Sequence, residues 1–165
     1  KPEKAKGPLS EAGMSLIMPE KFNEFRWIGK GPYAGYPGKD RLNDFGIFHL
    51  NRTDLRFQGN RRGTELALLT TADGTGIALI TSPGDVAIEI DGDKTRLKHN
   101  AAISGLGNKI GAAETIIESA KIECIAGSFT LVPLDSKWPT ALARWFGKPT
   151  PAKDIWKPFY HSYDQ

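Results

Sequence analysis

The sequence predicts an all-β fold, an antiparallel β-sandwich, from three observations. Apolar residues recur with a period of two along most of the chain, as on strands with one buried face. Asp-Gly turn chemistry stands between these runs at short spacing. β-Branched residues fill "ETIIESAKIECIAG" (114–127), the core stretch that a helix could otherwise claim. A chain of 165 residues is long enough to bury one substantial core.

The elements follow in order. "GMSLIMP" (13–19) sets Met14, Leu16 and Met18 on one face, and "EFRWIG" (24–29) sets Phe25 and Trp27 together. A glycine- and proline-rich corner, "GKGPYAGYPG" (29–38), comes next, then the short strand "FGIFHL" (45–50). In "TELALLTTADGTGIALITS" (64–82), two β-type runs flank Asp73-Gly74, a hairpin signature. "VAIEI" (86–90) reads as the next strand, which "DGDK" turns into "TRLKH" as a second hairpin. The 114–127 stretch supplies further strands, and "SFTLVPL" (128–134) is the last strand of the core.

Beyond Pro133 the texture changes, and three of the four tryptophans follow among several prolines. "TALARWFG" (140–147) reads as a helix closing at Gly147. The expected organisation is a linker over 1–11, a sandwich over 12–135 and a helix or extended tail over 136–165 that packs on it. The linker-like start without Met reads as a segment of a longer chain.

Composition is that of an ordinary globular protein, 39% hydrophobic and 25% charged. The net charge is +3 and the basic residues are scattered, so no nucleic-acid partner is expected. No apolar run approaches the roughly 18 residues that span a bilayer, so no membrane partner is expected either. The single Cys124 sits in a strand-like pattern and reads as a small buried apolar side chain. His49, His99 and His161 lack metal-ligand spacing, so neither a metal nor a cofactor is expected.

The chemical motifs are weak. "GKGPYAG" (29–35) and "GLGNKIG" (105–111) miss the dinucleotide spacing by one residue and open no clear helix. Asp91 and Asp93 flank a turn glycine rather than complete a calcium loop. Glu65, Glu89 and Asp91 show no spacing that marks an acid–base pair. Asn51-Arg52-Thr53 fits a glycosylation sequon. The informative cluster is "RFQGNRRGTELALLT" (56–70), a polar run from Gln58 to Arg62 ahead of an apolar strand. Asn60 and Arg61 there have the hydrogen-bonding capacity to reach a neighbouring domain or a sugar; the plainer reading is a solvated bend.

"GMSLIMPEKFNEFRWIGKGPYAGYPGKD" resembles a segment of family 2 glycoside hydrolases, found in the C-terminal small-chain domain of β-galactosidases. Trp27, Gly29, Gly31, Pro32, Tyr36 and Pro37 stand at the matching places. "QGNRRGTELALLTTADGTGIALIT" is similar to the same domain's Gly-Asn-Arg run, with Gly59, Asn60 and Arg61, and to its Asp-Gly hairpin. The resemblance covers roughly residues 12 to 82. It implies a galactose-mutarotase-like supersandwich, incomplete here because the family has strands ahead of the Gly-Met segment. The family's Gly-Gly-x-x-Ser-Trp stretch has no clear counterpart, so the substrate-site role of its tryptophan is not carried over. The family's catalytic glutamates lie in an upstream barrel, which implies no glycosidase activity for this chain alone. The implied role is an accessory domain that braces the catalytic domain or borders its carbohydrate site, in a bacterial periplasmic or secreted setting.

Tyr33 and Tyr36, projecting from the rigid corner, join Asn60 and Arg61 as expected contacts to a neighbouring domain or a sugar. Trp138 and Trp145, with Trp156, would serve a stand-alone carbohydrate-binding module as stacking platforms. A sugar epimerase is the remaining alternative, and it needs a histidine, such as His49 or His99, and a carboxylate within hydrogen-bond reach of the sugar.

Overall fold

A computed structural model of the chain describes residues 8–105, 117–118 and 124–136. It is an all-β, antiparallel sandwich of nine strands among the described residues: β1 (Pro8–Leu9), β2 (Glu11–Pro19), β3 (Glu24–Gly31), β4 (Asp44–Asn51), β5 (Gly59–Thr70), β6 (Gly76–Asp91), β7 (Lys94–Ile103), β8 (Ile117–Glu118) and β9 (Phe129–Leu134). Pairing begins at Pro8, inside the stretch read as a linker. The 140–147 helix, the tail and Trp138, Trp145 and Trp156 lie outside the described residues, as does most of 106–123.

One hydrogen-bonded path runs β2-β7-β6-β5-β3-β4, with β9 on the free side of β6. The two longest strands turn this path into two layers. The second half of β5 and the first half of β6 pair with β3 and β9, whereas the second half of β6 lies between the start of β5 and β7. The β5–β6 register shifts between Arg61, Thr64 and Leu66, where extra residues bend the pair. Thr64 and Thr81 fasten the bend: Thr64 Oγ1 donates to Arg61 O at 2.9 Å, and Thr81 Oγ1 donates to Thr64 O.

The layers close on one core. Phe25, Trp27, Leu69 and Leu79 come from one side and Val86, Ile88 and Leu97 from the other. The period-two readings hold: Met14, Leu16 and Met18 share the half-buried face of β2, and Phe25 and Trp27 are buried on β3. Both hairpins hold as well. Gly74 takes φ +91° in the first turn, and Gly92 takes φ +60° in the two-residue turn between Asp91 and Lys94.

Three expectations need correction. "VAIEI" is not a separate strand, because β6 runs unbroken from Gly76 to Asp91 through Ser82-Pro83-Gly84. Pro83 stands at the bend and pairs with neither neighbour there, so its missing N–H costs no ladder bond. The run from Gln58 to Arg62 is not a solvated bend, since residues 59–62 open β5 and two of them are fully buried. Cys124 is exposed rather than buried, on a segment without strand pairing, so alternation there selects no inner face.

His99 on β7 is buried beside the Phe129 ring, with centroids 5.2 Å apart. Desolvation pushes its pKa below 6.5, with the Asp85 carboxylate opposing. Below the unfolded value of 6.5 the unfolded chain therefore binds the proton more readily. The stability contribution of neutral His99 is complete above that value and is lost as pH falls from it through the depressed folded pKa. Urea midpoints measured between pH 7.5 and 5 should decline, and His99→Gln should flatten the decline.

Candidate functional site

The site is built on the glycine–proline corner between β3 and β4. Tyr36-Pro37-Gly38-Lys39 forms its tip, with Pro37 at the second turn position and Gly38 at the third with φ +78°, the chemistry of a type II turn. Lys39 N donates to Tyr36 O at 2.8 Å, and Tyr36 N donates to Lys39 O at 3.1 Å. Gly31-Pro32, where β3 ends, is a cis peptide.

Polar side chains hold this loop from behind. Asn60, 1% exposed, grips Gly35 twice: Gly35 N donates to Asn60 O at 2.8 Å, and Asn60 Nδ2 donates to Gly35 O at 2.9 Å. Asn60 Nδ2 also donates to Asp85 Oδ1 at 2.8 Å. On the outer side Asp40 Oδ2 accepts from Lys30 Nζ at 2.9 Å and from Arg62 Nη1 at 3.2 Å. The Lys30 hydrogen bond is the chief cause that holds the Asp40 carboxyl below its ordinary value. Asn43 closes the loop, its Oδ1 accepting from Tyr33 N at 2.9 Å.

Arg61, the next residue on β5, points the other way and is 0% exposed. Its Nη2 donates to Arg56 O at 2.5 Å and to Phe57 O at 3.2 Å, and its Nη1 donates to Asn60 O at 3.3 Å. The guanidinium carbon lies 4.9 Å from the Trp27 ring centroid. Burial pushes its pKa down to about 10, with the Tyr36 phenol opposing. Gly59 leaves room for this arrangement: at φ +116°, a Cβ there would stand 2.6 Å from Ala34 Cβ and 3.5 Å from Tyr36 Oη.

In front of the corner lies an open cleft of about 510 Å³ between residues 33–43 and 55–58. Tyr33 lines it, whereas the Tyr36 hydroxyl end is turned back toward Gly59 and Arg61. Leu42 and Leu55 also line it, at 81% and 103% exposure. Lys39 and Arg41 add two exposed cations whose side chains have no ion-pair or hydrogen-bond partner among the described residues.

Tyr33, Tyr36, Asn60 and Arg61, the expected contacts that lie among the described residues, thus gather at one place, with Tyr33 lining the cleft and Asn60 and Arg61 buried. Sequence reasoning missed Leu42 and Leu55; the available signal was a lone leucine in each of two polar loops, "KDRLND" and "TDLRF". The histidines do not converge. His99 is buried on β7, while His49 on β4 pairs with Glu24 on the outward side of the β3–β4 ladder. The Glu24 carboxylate is held there by Asn51 as well, with Arg26 Nη2 at 3.9 Å.

The family model for the beta galactosidase small chain matches residues 1–112, which span the corner, both hairpins and the buried Asn60 and Arg61. The chain belongs to that family. No curated protein matches it. As a beta galactosidase small chain domain it is a β-galactosidase-associated accessory domain, and its two resemblance motifs pack against each other. The Tyr-Pro of the first caps the corner, and the Gly-Asn-Arg of the second anchors it.

Proposed function

We propose that this domain braces the catalytic domain of a β-galactosidase, docking through the glycine–proline corner and its cleft. One observation carries the reading: Leu42 and Leu55 stand almost wholly in solvent at a cleft whose backbone is fixed by buried polar groups. A rigid loop presenting apolar side chains loses little entropy on binding, and each leucine buried at an interface contributes about 1.5–3 kcal/mol. Lys39 and Arg41 give the partner surface its character, an apolar contact flanked by acidic groups. Tyr33 adds a contact at the surface, while Tyr36, Asn60 and Arg61 act by fixing the loop. Asp40, the cleft carboxylate, is committed to Lys30 and Arg62 and is no free acid or base. Hydrolysis therefore belongs to the partner.

The test is a calorimetric titration of the chain into a β-galactosidase catalytic domain. Leu42→Asp with Leu55→Asp should weaken association by about a hundredfold or more, from two lost leucine contacts. The urea midpoint should stay unchanged, because neither side chain is part of the core. Equal affinity for the double variant would overturn the reading. Saturable binding of a galactoside by the chain alone, lost in Tyr33→Ala, would replace it with the carbohydrate-binding module.

A further inference from the structure

The layer that contains β3, β5, β6 and β9 should carry polar residues on its outward face if that face met only water. Instead, two rows on it are aliphatic over three strands each. Ile28, Leu66 and Ile80 are directly paired in one row, and Leu68, Ala78 and Val132 in the next. Leu68 and Ala78 form, with Leu134, a hydrophobic cluster separate from the main core, and Ile80 is still 46% exposed. Toward β4 the second row ends in Arg26 and His49, beside Glu24 and Asn51 in a polar cluster, while the first continues from Ile28 to the half-buried Ile47. At the other side of the layer, among the described residues, β9 pairs with β6 alone.

β9 ends at Leu134, within this patch, and the chain continues from there. Residues 137–165 lie outside the described residues, but their sequence has the complementary pattern. In and just before the helix read over 140–147, Trp138, Leu142, Trp145 and Phe146 recur at the spacing of one helical face. Neighbouring strands lie about 4.8 Å apart and an extended residue spans about 3.3 Å, so a few residues suffice to carry the chain from β9 across β6 to β5. We propose that the C-terminal segment folds back over this outward face, seating the Trp138–Leu142–Trp145 stripe on Leu68, Val132 and Ile80. The sandwich then has a second, satellite core closed by its own tail, on a surface distinct from the docking cleft.

Acrylamide quenching of tryptophan fluorescence in the full chain tests this. Trp27 is 1% exposed and screened, so the quenchable signal reports Trp138, Trp145 and Trp156. The wild-type chain should quench weakly. Ile80→Lys, which changes a half-exposed outward position, should raise quenching severalfold while unfolding stays cooperative; Leu55→Asp should leave it unchanged. In a Cys124→Ser background, Ile80→Cys with Trp145→Cys should form a disulfide under mild oxidation, a result independent of how Ile80→Lys folds. Full quenching in the wild type, protection that Ile80→Lys does not relieve, or no disulfide would each place the tail elsewhere and overturn the proposal.

Discussion

Arg61→Ala is expected to lower stability by about 3 kcal/mol or more, from the cavity left by a long buried side chain and the acceptors it orphans. Three carbonyls, those of Arg56, Phe57 and Asn60, each lose a donor at once, although that of Asn60 still accepts from Gly35 N. One face of the Trp27 ring loses its cover. The opposing effect is relief of a buried charge, which its depressed pKa shows to be costly. It is smaller, because the cavity and the orphaned carbonyls remain after the charge is gone. Arg61→Lys should not restore stability, since an ammonium cannot reach three divergent carbonyls in the plane that the guanidinium supplies. Urea denaturation of the three proteins measures this directly, and a lysine variant as stable as wild type would show that charge alone matters.

Trp27→Ala should cost about 3–5 kcal/mol, the range for a large aromatic removed from a packed core. The indole is 1% exposed and stacks with Phe25, at 5.0 Å and 17°, and with Phe48, at 5.1 Å and 27°. Its Nε1 donates to Lys30 O at 3.0 Å, so the same side chain also fixes the start of the corner. Because Arg61 packs on this ring, the two losses should not add. A cycle through Arg61→Ala, Trp27→Ala and the double variant should show a coupling of about 0.5–2 kcal/mol, the size of a desolvated cation–π contact. Additive losses would mean that the two groups are neighbours without interaction.

Much of this fold is legible in the sequence because burial on one face leaves a period-two trace. The Met14-Leu16-Met18 alternation and the Asp73-Gly74 and Gly92 turns are local signals, and each has its expected place. The failures share a non-local cause. Ser82-Pro83-Gly84 reads as a break, yet β6 passes through it as a bulge, with Thr81, Ser82 and Pro83 standing opposite Glu65 of β5. Cys124 alternates correctly with its neighbours, but without a paired strand the pattern has no inside. Asn60 and Arg61 look solvated because polar side chains usually are; their burial depends on carbonyls and on a Trp27 ring brought from distant positions. Leu42 and Leu55 show the converse. A single leucine in a polar loop carries no periodicity, so only the fold shows that the two stand at one cleft.

The most direct test of docking at the corner is amide hydrogen exchange of this chain with and without a β-galactosidase catalytic domain. Docking predicts added protection confined to residues 33–43 and 55–58, with β2 and β7 unchanged. Protection centred on another face, with the corner exchanging as in the free chain, would contradict it.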